Sequence, residues 1–271
     1  MSVIEFEDVR HRMPNGVVAL DSVSLKVGRG EVVAVVGGNG AGKTTLLKHM
    51  NGLLKPSSGR VTVFGKETKE ESIARLSRRV GLVFQNSDHQ IFSESAKEEV
   101  MFGLKNFGIP PGEAEEKAGR ALEYYGLADL AARPPLTLSG GEKKRLCIAA
   151  VMAWEPDVLV LDEPTVGQDY PSRSRLFGVV QGLASSNRTV VIVSHDLEFL
   201  WPLSPRTVVM SKGRVVADGP AREVFMRTEM LRDAGLREPQ LLQLSRRFGR
   251  EEPFTAVDQA AAWLTERGRA N

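Results

Sequence analysis

A single cysteine, Cys147, denies this 271-residue chain any internal disulfide, and a reducing compartment suits it. Cys147 lies in the apolar run CIAAVMAW and reads as a small buried hydrophobe. Long hydrophobic runs are missing as well. None approaches the ~18 residues that a membrane-spanning helix requires, and the longest, VVAVVGG, reads as a buried strand. No secretory leader is legible, because the opening MSVIEFEDVR carries three acids and no apolar stretch. Neither sign of charge is in excess: 36 Lys and Arg face 34 Asp and Glu, a formal balance of +2. That balance argues against nucleic acid or anionic lipid as the main partner. Arginine pairs such as Arg78-Arg79 and Arg246-Arg247 read as solvated faces. The expectation is a cytoplasmic protein with no direct membrane span, whose contact with a membrane runs through another protein.

What is present is an alternation of strand and helix signals. VIEFEDV and VVALDSVSLKV alternate with period two, as half-buried strands do, around a turn at Pro14-Asn15-Gly16. EVVAVVG is apolar at nearly every position, the pattern of a strand buried on both faces. GKTTLLKHMNG follows as a helix closed by Gly52, and RVTVFG and RRVGLVFQ are further strands. Between about Ser87 and Pro135 the texture turns helical, with acid-rich helix starts. Beyond it, helices GEKKRLCIAAVMAW and PSRSRLFGVVQGLA alternate with strands DVLVLDEP and TVVIVSHD, and TVVMSKGRVVADG reads as a closing hairpin. Strands separated by helices imply an α/β fold with a mostly parallel sheet. The segment after about Pro220 is helical and charged.

The buried strand EVVAVVG runs into Gly37-Gly38-Asn39-Gly40-Ala41-Gly42-Lys43-Thr44, a complete G-x-x-x-x-G-K-T between a strand and a helix. Glycines let backbone N–H groups converge on a phosphate, and the helix that follows adds the positive end of its dipole. Lys43 supplies a cation for the β- and γ-phosphates, and the Thr44 hydroxyl is a ligand for Mg²⁺. A carboxylate must stand opposite, and the apolar strand DVLVLDEP ends in Asp162 and Glu163. Neighbours on a strand point to opposite sides, so the two acids are given different work: Asp162 the Mg²⁺ shell, Glu163 the attacking water. An N-K-x-D element for guanine is missing, so the nucleotide is read as ATP.

A second glycine pair sits in Leu138-Ser139-Gly140-Gly141-Glu142, at the start of a helix. Ser139 and Glu142 have capping-box spacing. The box alone leaves unexplained two glycines that each weaken a helix by about 1 kcal/mol relative to Ala. They suggest close approach of a ligand to the helix end, which suits a phosphate.

LSGGE resembles the signature of the ATP-binding-cassette ATPases, where Gln usually stands in place of Glu142. The phosphate loop, Gln85 after VGLVF, Asp162-Glu163 and His195 in VIVSHD fall in that family's order and approximate spacing, over roughly residues 3 to 225. The resemblance implies a P-loop NTPase with a RecA-like sheet core, an N-terminal antiparallel β subdomain and an α-helical subdomain inserted at about 87–135. It implies a cassette over residues 1–235 and a helical extension over 236–271 that helps to hold a dimer. It further implies a head-to-tail dimer, of identical or paralogous subunits, that closes on ATP. The nucleotide then lies between Gly38, Asn39, Gly40, Ala41, Gly42, Lys43, Thr44 and Thr45 of one subunit and Ser139, Gly140, Gly141 and Glu142 of the other. Gln85 would touch the Mg²⁺ or the water, Glu163 would act as general base, His195 would contact the γ-phosphate, and Asp169 would reach across the dimer. QNSDHQIF, LSGGEKKR, EPTVGQD and VADGPAREVF are similar to the energy-coupling-factor branch, which takes up cobalt, nickel and vitamins. There two ATPase subunits dock on a transmembrane coupling protein that carries a small substrate-binding membrane protein, at the inner face of the cell membrane.

Two positions depart from the pattern. Met13 stands where an aromatic usually stacks on adenine, and Gln168 stands where leucine is usual before Asp169. The alternatives are a conventional cassette transporter subunit and a soluble cassette ATPase acting on DNA or ribosomes. One phosphate loop and no heptad tract before the signature speak against the soluble class.

Overall fold

The structure, a computed structural model, describes residues 1–269, so the last two residues of the 236–271 extension lie outside it. In chain order the strands are β1 (Ser2–Arg12), β2 (Val18–Gly28), β3 (Val32–Val36), β4 (Ser58–Val63), β5 (Lys66–Glu67), β6 (Val80–Val83), β7 (Val158–Asp162), β8 (Thr189–Ser194), β9 (Arg206–Ser211) and β10 (Arg214–Pro220). The helices are α1 (Lys43–Met50), α2 (Ile73–Arg79), α3 (Ala96–Asn106), α4 (Pro111–Tyr124), α5 (Gly140–Met152) and α6 (Tyr170–Ser185). They continue with α7 (Leu197–Leu200), α8 (Ala221–Phe225), α9 (Thr228–Asp233), α10 (Gln240–Arg247) and α11 (Val257–Arg269).

A six-stranded sheet in the order β10-β9-β3-β8-β7-β6 forms the centre, parallel except for the β9–β10 hairpin. A four-stranded antiparallel sheet, β2-β1-β4-β5, packs beside it. The central strands read as continuous apolar runs because both of their faces are covered. Alternate residues of β3 prove this: Val33 and Val35 join one core with α1 and the antiparallel sheet. Ala34 and Val36 join the other core, with α3 to α6 and the helices after β10. Residues 87–135 contribute α3 and α4, which pack against α5.

The chain after β10 folds back over this second core. Leu231, Leu236 and Leu242 belong to it. The Trp201 indole N–H donates to the Phe254 carbonyl at 2.7 Å, and Phe254 is fully buried. Truncating a buried ring of that kind costs about 3–5 kcal/mol, so the tail is integral to the fold. Among the described residues no helix is long and apolar enough to cross a membrane.

Candidate nucleotide site

The carboxyl ends of β3, β6, β7 and β8 converge, the place where open α/β sheets bind ligands. Beside them lies a cavity of about 390 Å³. Its floor is Asn39 to Thr45, one wall is Met13, Asn15 and Val17 to Ala19, and the other is Gln85, Glu163 and His195.

The floor is built by local geometry. Gly42 has φ +99°, and a Cβ there would stand 2.5 Å from the Ala19 carbonyl oxygen, so only glycine serves. Lys43 opens α1 and is buried. Its Nζ donates to the Gly37 and Gly38 carbonyls at 2.7 and 3.2 Å and lies 3.5 Å from Glu163 Oε1. Gly38 N–H donates to the Ala234 carbonyl at 2.8 Å, so the segment after α9 rests directly on the loop.

Asp162 closes β7 and is 3% exposed. Its Oδ2 accepts the Thr44 hydroxyl at 3.4 Å, while its Oδ1 is buried without a partner. Burial, and then the charge of Glu163, hold its carboxyl above the usual range. Strand alternation does not govern Glu163, because β7 ends one residue earlier and Glu163 takes a left-handed φ of +42°. This backbone state, costing on the order of 1–3 kcal/mol, is fixed by the Glu163 N–H donating to the Val193 carbonyl at 2.7 Å. It swings Glu163 toward Lys43 and His195. Its Oε2 accepts the His195 backbone N–H at 3.2 Å and stands 2.9 Å from the ring Nδ1. A carboxylate only accepts, so Nδ1 is the donor in this contact.

The structure thus brings together Lys43, Thr44, Asp162, Glu163 and His195, with Gln85 and Met13 on the cavity walls. Ser139, Gly140, Gly141, Glu142 and Asp169 do not line this cavity in their own chain. Ser139 and Glu142 form the complete capping box of α5, with the Ser139 hydroxyl donating to Glu142 Oε2 at 2.7 Å. That box holds the Glu142 carboxyl below its usual range. Gly141 has an intrachain cause that spacing could not reveal: a Cβ there would stand 2.1 Å from Ser172 Oγ. Gly140 meets no such neighbour, and only Gly140 keeps the argument from ligand approach. Asp169 caps α6, accepting the Ser172 N–H at 2.9 Å. Gln168 Nε2 donates to the Gly140 carbonyl at 3.3 Å, which ties the turn after Glu163 to the signature helix.

Sequence reasoning finds no signal for the Ala19 wall or for Ala234 upon Gly38. It also missed Lys144, whose buried Nζ donates to the Phe84 and Gln85 carbonyls.

Comparison with known proteins agrees with this geometry. Residues 20–166 match the family model described as ABC transporter. A Geobacter sulfurreducens protein described as an ABC transporter ATP-binding protein is 42% identical over 241 residues, 89% of this chain and 96% of its own. The energy-coupling factor transporter ATP-binding protein EcfA of Methanothermobacter thermautotrophicus is 40% identical over 248 residues, 91% of this chain and 80% of its own. CbiO1 of Clostridium perfringens, described as part of the ABC transporter complex cbiONQ, superposes with a TM-score of 0.77 at 35% identity, covering 92% of this chain and 99% of its own. The chain belongs to the ABC transporter family, as one of its ATP-binding, ATP-hydrolysing subunits.

Proposed function

We propose that this protein is the ATPase of an energy-coupling-factor importer for a metal ion or vitamin, cytoplasmic and peripheral on the inner face of the cell membrane. The observation that carries the reading is 40% identity to an EcfA protein across 91% of the chain. The likeness to CbiO1 over nearly its whole length supports it. On this reading two ATPase subunits dock on a transmembrane coupling protein that bears a substrate-binding membrane protein. Residues 1–235 form the cassette and 236–271 a helical extension that serves the dimer.

The residues present fit Mg²⁺·ATP. A hard cation takes oxygen ligands, and the unpartnered Oδ1 of Asp162 beside the Thr44 hydroxyl and Gln85 is a matching donor set. When bound, Mg²⁺ supplies charge neutralisation of the phosphate oxygens. The protein's own groups do the rest. Backbone N–H groups from Asn39 to Thr45 and the Lys43 ammonium hold the phosphates, Lys43 leaving Glu163 Oε1 as it takes up phosphate oxygens. The freed Glu163 accepts a proton from the attacking water, and His195, beside it on the cavity wall, contacts the γ-phosphate through a ring N–H. Met13 lies against the base in place of an aromatic ring. Ser139, Gly140, Gly141 and Glu142 of the opposing subunit complete the site, with Asp169 across the interface. Their exposure or distance from the cavity of their own chain supports that division of labour.

The test is to purify the tagged chain with native membranes and identify what accompanies it. A coupling protein together with a small substrate-binding membrane protein is expected. A conventional two-permease assembly, or no membrane partner, would overturn the reading.

A further inference from the structure

Beneath the nucleotide cavity lies a buried cation that the catalytic scheme does not use. Lys144 stands on the second turn of α5, five residues after Ser139, and is 3% exposed. A buried ammonium is tolerated only when its donors are satisfied. Its Nζ donates to the Phe84 carbonyl at 2.9 Å and to the Gln85 carbonyl at 2.8 Å. These are the two consecutive carbonyls that follow β6, where the sheet no longer holds the chain.

The grip extends to the far end of the same segment. Lys143 Nζ pairs with Asp88 Oδ1 at 2.7 Å, and Asn86 Oδ1 accepts the Asp88 N–H at 2.9 Å. Gln90 Oε1 accepts the Phe84 N–H at 3.1 Å. Residues 84 to 90 are therefore pinned along α5, and the Gln85 side chain stands at the cavity wall from a fixed backbone.

We propose that Lys144 is a positioning residue for Gln85: its ammonium clamps the Phe84 and Gln85 carbonyls and ties the place of Gln85 to the signature helix α5. The inference rests on the reading of Gln85 as a site residue. Its mechanical consequence is that Gln85 follows any displacement of the Ser139 turn. One element thereby senses the nucleotide edge of its own cavity and the turn offered to the opposing subunit.

The experiment compares the full-length parent with Lys144→Met, Lys144→Gln, Gln85→Ala and the double variants. Each is measured for thermal midpoint, affinity for a non-hydrolysable ATP analogue, and kcat and KM for ATP. Lys144→Met loses both bonds and should lower kcat by roughly 10- to 100-fold, the range that ångström-scale misplacement produces. Nucleotide affinity should stay within about threefold, because the phosphate loop and Met13 are untouched. Lys144→Gln keeps an uncharged amide NH2 donor on a shorter side chain and should lose less, roughly three- to tenfold in kcat. In the Gln85→Ala background neither substitution should lower kcat further. Parental kcat in either folded Lys144 variant would overturn the inference, as would equal losses in both backgrounds. Parental kcat in Gln85→Ala would instead remove Gln85 from the site, and the inference with it.

Discussion

Replacing Glu163 by Gln separates chemistry from stability at one atom pair. The amide keeps the shape of the side chain and its acceptor oxygen for the His195 N–H, but removes the charge and the basic oxygen. Loss of a general base lowers turnover by about 10²–10⁴-fold. The stability cost is bounded by the buried Lys43–Glu163 contact at 3.5 Å, with both side chains 8% exposed. Breaking a buried ion pair costs about 3–5 kcal/mol when the surviving charge is stranded. Lys43 is not stranded, since the Gly37 and Gly38 carbonyls still accept from it. Asp162 also gains, because the Glu163 charge that helps to raise its carboxyl is gone. The net cost should be near one hydrogen bond, about 1 kcal/mol, or about 2–4 °C in thermal midpoint. Phosphate release at saturating ATP and Mg²⁺ reads the first effect, and a thermal melt without nucleotide reads the second. Turnover within about threefold of the parent would exclude Glu163 as the base. A midpoint drop beyond about 10 °C would refute the energetic argument.

Three other sites carry predictions of their own. Met13 is 37% exposed on the cavity wall; Met13→Tyr should tighten ATP binding by about threefold or more through stacking, and equilibrium binding that weakens would remove it from the base-contacting position. Cys147 is buried and its thiol is pushed up to about 11, chiefly by burial; an alkylating reagent near neutral pH should label it only after denaturation, and rapid labelling of the folded chain would contradict that packing. His49 is fully buried, with Nδ1 2.7 Å from the Thr45 carbonyl, Nε2 unpartnered and the His11 ring edge-on at 4.8 Å. Burial lowers its pKa from 6.5, so the unfolded chain binds the proton more readily. Its contribution is complete above about pH 6.5 and is lost as pH falls toward the lower folded value. His49→Leu should flatten the decline of thermal midpoint between about pH 7.5 and 5.5, and an unchanged slope would exclude this residue as its source.

The phosphate loop, the acids at the end of β7 and the alternation of strands and helices around them were legible because each depends on local pattern. Backbone N–H groups need glycines at fixed spacing, and doubly buried strands need unbroken apolar runs. What was illegible depends on long-range contact. Lys143 and Lys144 are neighbouring residues of one type that no local pattern tells apart, yet one meets Asp88 near the surface and the other lies buried beneath Gln85. The purpose of Gly141 is set by Ser172, which lies 31 positions further on and on another helix. Alternation along β7 ends at Asp162 and could not give the orientation of Glu163, because a left-handed residue at the strand end breaks the period. Gln168, unexplained as a departure from the family pattern, bridges to the Gly140 carbonyl. Ala234 on Gly38 left no trace in the sequence, since a backbone-to-backbone bond imposes no residue type on the donor's partner.

The central claim is that two chains complete one another's nucleotide sites. Sedimentation of the Glu163→Gln variant, with its membrane partners and saturating ATP and Mg²⁺, tests it most directly. The account predicts an ATP-dependent pairing of two ATPase chains that a bulky substitution at Ser139 abolishes. A single ATPase chain per assembly at every nucleotide concentration would contradict it.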